Sequence, residues 1–194
     1  MENLVNRLTQ AEQLKAQLAA LRAREDAAAK ASAAAPRDGA NAAPSPSLRA
    51  GSVSVERWQN VGQGTADATL ETALWAAANG ELDALAATLA LDATGRAEAA
   101  ALFSRLPASV QAEMATPERM VALLTASDVP LGRAAILRQQ ATPDGMDILT
   151  QLTDADGHAK TAMFSFKSEG ESWRLQVPAS VVRKYAATWN GSGR

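Results

Sequence analysis

LGRAAILRQQATPDGMDILTQLTDADGHAKTAMFSFKSEGESWRLQV, residues 131–177, decides the fold. Met146, Ile148, Thr150 and Leu152 alternate with Asp147, Leu149, Gln151 and Thr153. Trp173, Leu175 and Val177 alternate with Ser172, Arg174 and Gln176. Between them Ala162, Phe164 and Phe166 share one face, and Thr161, Met163, Ser165 and Lys167 the other. A period of two is that of a strand with one buried and one outer face. Pro143-Asp144-Gly145, Asp154-Ala155-Asp156-Gly157 and Glu169-Gly170-Glu171 separate the strands. Gly supplies the positive φ such turns need, and Asp bonds back to nearby amides. Short turns join neighbours antiparallel, so the stretch predicts a four-stranded antiparallel meander.

Composition excludes several classes of chemistry. The 194 residues suffice for one domain and an appendage. Apolar residues make up 47%, but many are alanine, which favours helix and fills a core poorly. A net charge of −2 gives no field that would favour nucleic acid, and the basic residues are scattered among acids. With no cysteine there is no disulfide, thiolate metal site or cysteine nucleophile. No apolar run reaches the roughly 20 residues of a membrane span. Met1 is followed by a charged helix rather than an apolar secretory segment. With Met1 as the start, the reading is a cytoplasmic protein; an anchor upstream would place it at the cell envelope.

Upstream of the strands the chain reads as linker and helix. Residues 1–30 lack Gly and Pro and predict a long helix. Leu4, Ala11, Leu14, Leu18, Leu21 and Ala28 fit heptad a and d positions, so the segment is either a short coiled-coil stalk or a solvated helix. Residues 31–54 are rich in Ala, Pro and Ser, with few large apolar side chains, and read as a linker. The globular domain is then expected over 55–190. Thr65 predicts an N-cap, and Asn79-Gly80 the end of a first helix. Further helices are expected over 81–91, 93–106 and 117–127, the last opened by Thr116-Pro117-Glu118. A final helix over 179–189 would face Val181, Val182, Tyr185 and Trp189 inward.

Helices before an antiparallel sheet make an α+β domain with the helices packed on one face. Residues 62–177 resemble the nuclear transport factor 2-like superfamily, with its cone-shaped, cystatin-like fold (also called SnoaL-like). Three features carry the resemblance. The stretch from Thr65 to Leu85 is similar to the family's first helix and the turn after it. A meander follows, and Gly170-Glu-Ser-Trp173-Arg174-Leu175 resembles the family's terminal strand. Asp92–Ser127 is longer than the family pattern, and Ala179–Trp189 is an addition. The resemblance implies a cone and often a dimer. The superfamily hosts both enzymes and binding modules, so fold membership leaves the activity open.

Candidate chemistry is sparse. Enzymes of the superfamily usually line the cone with a His/Asp or Tyr/Asp set, which has no counterpart here position by position. The one histidine, His158, falls in a hairpin turn and reads as a solvated turn residue. Asp154-x-Asp156-Gly157 is similar to the first half of a calcium loop, but Lys160 follows and no bidentate Glu closes the pattern. Gly62-x-Gly64 lacks the Lys and preceding strand of a phosphate loop. Glu71 beside Trp75 is the best acid–base candidate, since an aromatic neighbour desolvates a carboxyl. Trp75, Phe164, Phe166 and Trp173 are the expected core or pocket aromatics, with Trp173 buried against the first helix.

No cofactor and no metal is expected. The reading is a non-catalytic binding or assembly module on a helical stalk, meeting a protein partner or its own twin. The alternative is a small-molecule-binding enzyme or ligand carrier using the cone pocket, with Glu71 as base. The open sheet face would carry Leu149, Met163 and Ile136.

Overall fold

The computed structural model describes residues 46–191. The helix and stalk expected over 1–30, and most of the expected linker, lie outside them. The described chain opens with two 3-10 turns, Ser47–Ala50 and Val55–Arg57, on either side of strand β1 (Val53–Ser54). Helices α1 (Ala66–Asn79) and α2 (Leu82–Thr88) lead to β2 (Leu89–Leu91). Then come α3 (Ala93–Phe103), α4 (Ala108–Met114) and α5 (Pro117–Asp128). The four long strands are β3 (Arg133–Thr142), β4 (Gly145–Thr153), β5 (Ala159–Glu169) and β6 (Ser172–Val177), and α6 (Ala179–Gly191) ends the described chain.

The class is α+β. The sheet, however, has six strands and is mixed, in the order β1-β3-β4-β5-β6-β2, rather than four and antiparallel. β3 to β6 form the antiparallel meander, with Ile148 opposite Phe164 and Phe166 opposite Leu175. β1 adds antiparallel to β3, and β2 adds parallel to β6. Both additions are only two or three residues long, so β1 covers just Arg133 and Ala134 of the ten-residue β3.

β2 arises where a helix was expected. Leu and Ala favour helix, so 81–91 read as one element. The helix stops at Thr88, whose buried hydroxyl donates to Leu85 O at 2.7 Å. Leu89, Ala90 and Leu91 then pair with Leu175, Gln176 and Val177. Burying Leu89 beside β6 outweighs the few tenths of a kcal/mol of local preference.

α1 is the central helix. Thr65 caps it by accepting from Ala68 N, and Gly80 ends it in the left-handed region at φ 75°. Eleven of its 14 residues are buried, so it lies inside the fold rather than along one side of it. It touches α2, α5, β4, β6 and the first 3-10 turn. Its alanines let these neighbours approach closely. Leu70 and Leu74 join Val121 and Leu123 of α5, Ile148 and Leu152 of β4, Phe166 and Leu175 in one core. Gly145 is required where β4 starts: a Cβ there would lie 1.8 Å from the Phe166 carbonyl oxygen.

Buried side chains of the sheet lie on one face, among them Ala134, Ile148, Leu152, Phe166 and Val177. Ile136 pairs with Thr150 and packs against the core, so it faces inward and not onto the open face. A bulge after Ile136 leaves Leu137 about half exposed. Trp173 is half-buried rather than buried. Its backbone is what α1 holds, Thr69 Oγ1 donating to Trp173 O at 3.1 Å. The side chain of Trp189 lies outside those described.

Candidate functional site

Asp67 and Glu71 stand one turn apart on α1, and both are buried. Their partners come from the turn Ser47–Ala50. Glu71 accepts Ser47 N at 2.5 Å and Leu48 N at 3.2 Å on Oε2, and Ser47 Oγ at 2.6 Å on Oε1. Free amides at the start of a helical turn need acceptors, and a carboxyl is the strongest available. Asp67 takes a two-toothed grip from the Arg49 guanidinium, with Nη2 to Oδ1 at 2.9 Å and Nε to Oδ2. Between these two anchors Leu48 enters the core at 1% exposure. Val53 follows it inward, and Trp58 Nε1 donates to Val53 O at 3.2 Å. The packed unit therefore begins before Val55, and residues 46–54 form a strap over α1.

The position of Glu71 bears directly on its candidacy as a base. Both oxygens are engaged by the strap, and the side chain lines neither cavity described below. A base needs a lone pair directed at the proton it removes. The geometry gives this carboxyl an anchoring role.

Asp67 links the strap to pH. Burial pushes its carboxyl upward most strongly, but the Arg49 hydrogen bond, the Thr65 hydroxyl, its own amide and the Arg49 charge together leave it below the ordinary value of 3.8. A carboxyl held low in the fold stabilises it above the ordinary Asp range and loses that contribution as pH falls through its lowered value. Asp67→Asn is therefore expected to be less stable than the parent near neutrality. Its denaturation midpoint should also fall less between about pH 5 and about pH 2.5. Chemical denaturation of both proteins across that range checks this; parallel curves would remove Asp67 from the pH response.

Of the expected aromatics, Phe166 is buried at 2% exposure, while Trp75, Phe164 and Trp173 are partly buried against the core. Neither cavity described among these residues brings them together with Glu71. Phe164 instead lines a cavity of about 300 Å³ between β5, β6 and α6, with Val177, Val181 and Tyr185. Burial, the largest influence, raises the Tyr185 phenol; the Thr125 hydroxyl pulls it down and the Asp128 charge adds to the rise, leaving it above its ordinary value. A smaller cavity of about 170 Å³ beside β2 holds Arg96, Arg174, Glu118 and Glu169. Its charges are matched two and two, and Arg174 Nε lies 3.2 Å from Glu169.

Among the described residues, Asp154, Asp156 and His158 bring three potential metal ligands within 4.8 Å of one another. All three lie in the β4–β5 turn. Asp154 Oδ1 accepts Asp156 N at 3.0 Å and His158 N at 2.8 Å, and Oδ2 faces the exposed His158 ring at 3.1 Å. These bonds close an Asx-type turn and account for the cluster without an ion. No helix among the described residues is long and apolar enough to cross a membrane.

No family model, curated protein or solved structure matches this chain. The sequence reading passed over the strap and the cavity. Leu48 and Val53, the two large apolar residues of the 31–54 segment, were the available indication of the first. The second depends on how far β6 runs along β5, which no local pattern encodes.

Proposed function

We propose that this chain is a non-catalytic binding or assembly module, and that it associates with a second copy of itself through the outer face of the sheet. The observation that carries the reading is the apolar content of that face. Leu149 and Met163 stand directly opposite one another in neighbouring strands, and Met163 is 50% exposed. Large apolar side chains set at the centre of a sheet face and ringed by polar residues mark interaction surfaces. Arg138, Gln151 and Lys167 provide that rim. A two-fold pairing of identical faces is the commonest closed arrangement. The resemblance to cone-shaped domains that pair through the sheet supports the same reading.

Sedimentation of the full chain and of Met163→Arg at matched micromolar concentrations tests it. The parent is expected as a dimer, and the variant shifted towards monomer by tenfold or more in Kd, about 1.4 kcal/mol or more. A monomeric parent, or a dimer indifferent to Met163→Arg, would defeat association through this face.

A further inference from the structure

The larger cavity exists because two strands differ in length. β5 runs from Ala159 to Glu169, but β6 covers it only from Glu169, opposite Ser172, to Phe166, opposite Leu175. After Val177 comes Pro178, which has no N–H to extend the ladder, and the chain turns into α6. Phe164 and its neighbours are left without a partner strand on that side, and the cavity of about 300 Å³ opens there. That volume is at the lower end for sites that hold small organic molecules.

The lining is selective in kind. Phe164, Leu175, Val177 and Val181 give it an apolar wall, and among the described residues no Asp, Glu, Lys, Arg or His belongs to it. Its polar groups are neutral, the chief ones being Gln176, Thr125 and Tyr185. Gln176 Nε2 is buried and has no hydrogen-bond partner among the described residues. Thr125 Oγ1 stands near enough to Tyr185 to hold its phenol down, yet its contact falls short of hydrogen-bond geometry. A buried amide donor without an acceptor is destabilising, and such groups are nearly always satisfied in folded proteins. The complementary charge for such a lining is none, and the complementary polar group is an acceptor.

We infer that this cavity is a binding site for a small uncharged organic molecule with an apolar, ring-sized body and a carbonyl-type acceptor that takes the Gln176 amide hydrogens, the amide turning toward the cavity from its solvent-excluded position. Met163 lines the cavity as well as standing on the sheet face, but the inference is argued from Phe164, Gln176 and Tyr185 and does not depend on the pairing.

Three probes of similar shape separate the possibilities: acetophenone carries the acceptor, ethylbenzene lacks it, and benzoate carries a charge. Each is titrated into the full 15N-labelled chain, and into Gln176→Leu, while amide shifts are followed. Acetophenone is expected to give saturable shifts centred on Phe164, Gln176 and Tyr185. It should bind about tenfold more tightly than ethylbenzene, the worth of one well-made hydrogen bond, and more tightly than benzoate. Gln176→Leu should bring acetophenone and ethylbenzene to near parity. Equal binding of these two by the unaltered chain would overturn the inference, as would tighter binding of benzoate or no saturable shift up to the probes' solubility. If Gln176→Leu does not fold, the ratios measured on the unaltered chain still decide.

Discussion

A chain beginning at Val55 is expected to melt about 10–15 °C below one beginning at Pro46. The deleted residues take Leu48 and Val53 out of the core, where they are 1% and 5% exposed. Burying two such side chains contributes about 3–6 kcal/mol before any ordering cost. The deletion also removes the three donors on Glu71, the Arg49 grip on Asp67 and the acceptor of Trp58 Nε1. Against this, the shorter chain no longer has to order a segment. The strap is docked in the folded chain, so its contacts outweigh that entropy, and deletion forfeits the surplus. A surplus of about 3–5 kcal/mol, the scale of one truncated core side chain, gives the stated shift. Calorimetry on the two chains decides: agreement within about 2 °C would mean that the strap rests on the domain without stabilising it.

What the sequence revealed and what it concealed have physical causes. The β3–β6 meander was legible because alternation and Gly-containing turns are local properties, and each turn forces the next strand to be antiparallel. α1 was legible at both ends because Thr65 and Gly80 act within a few residues of themselves. The two added strands were not. Leu89–Leu91 has the composition of a helix and becomes a strand only because β6, more than 80 residues later, offers it an edge. The strap reads as linker because its energy lies in two residues, Leu48 and Val53, and in carboxyls about 20 residues downstream. Composition averages over such segments and loses them. For the candidate site the failure has the same form. Glu71 reads as an acid–base candidate because Trp75 stands one turn away on the same helix. Its partner is a distant amide pair rather than a substrate, and helical spacing carries no trace of it.

Glu71 is therefore where the anchoring role and the base role predict opposite results. Glu71→Ala is expected to cost about 3–5 kcal/mol, since it leaves Ser47 N, Ser47 Oγ and Leu48 N without acceptors in a site that excludes water. Glu71→Gln keeps the shape but turns one acceptor into a donor facing another donor, and is expected to cost about 2 kcal/mol. Ser47→Ala removes the bond at 2.6 Å to Oε1 and should cost about 1.5–3 kcal/mol, the range for hydrogen bonds to charged groups. Because the two side chains act on each other, the double variant Ser47→Ala with Glu71→Ala should fall short of the sum of the single losses by more than about 1 kcal/mol. Denaturant midpoints on the four proteins provide the cycle. Additive losses would show that the pair is not coupled. A Glu71→Gln protein as stable as the parent would show that the strap does not need this carboxyl. That second outcome would free the oxygens for proton transfer and return the enzyme alternative to consideration.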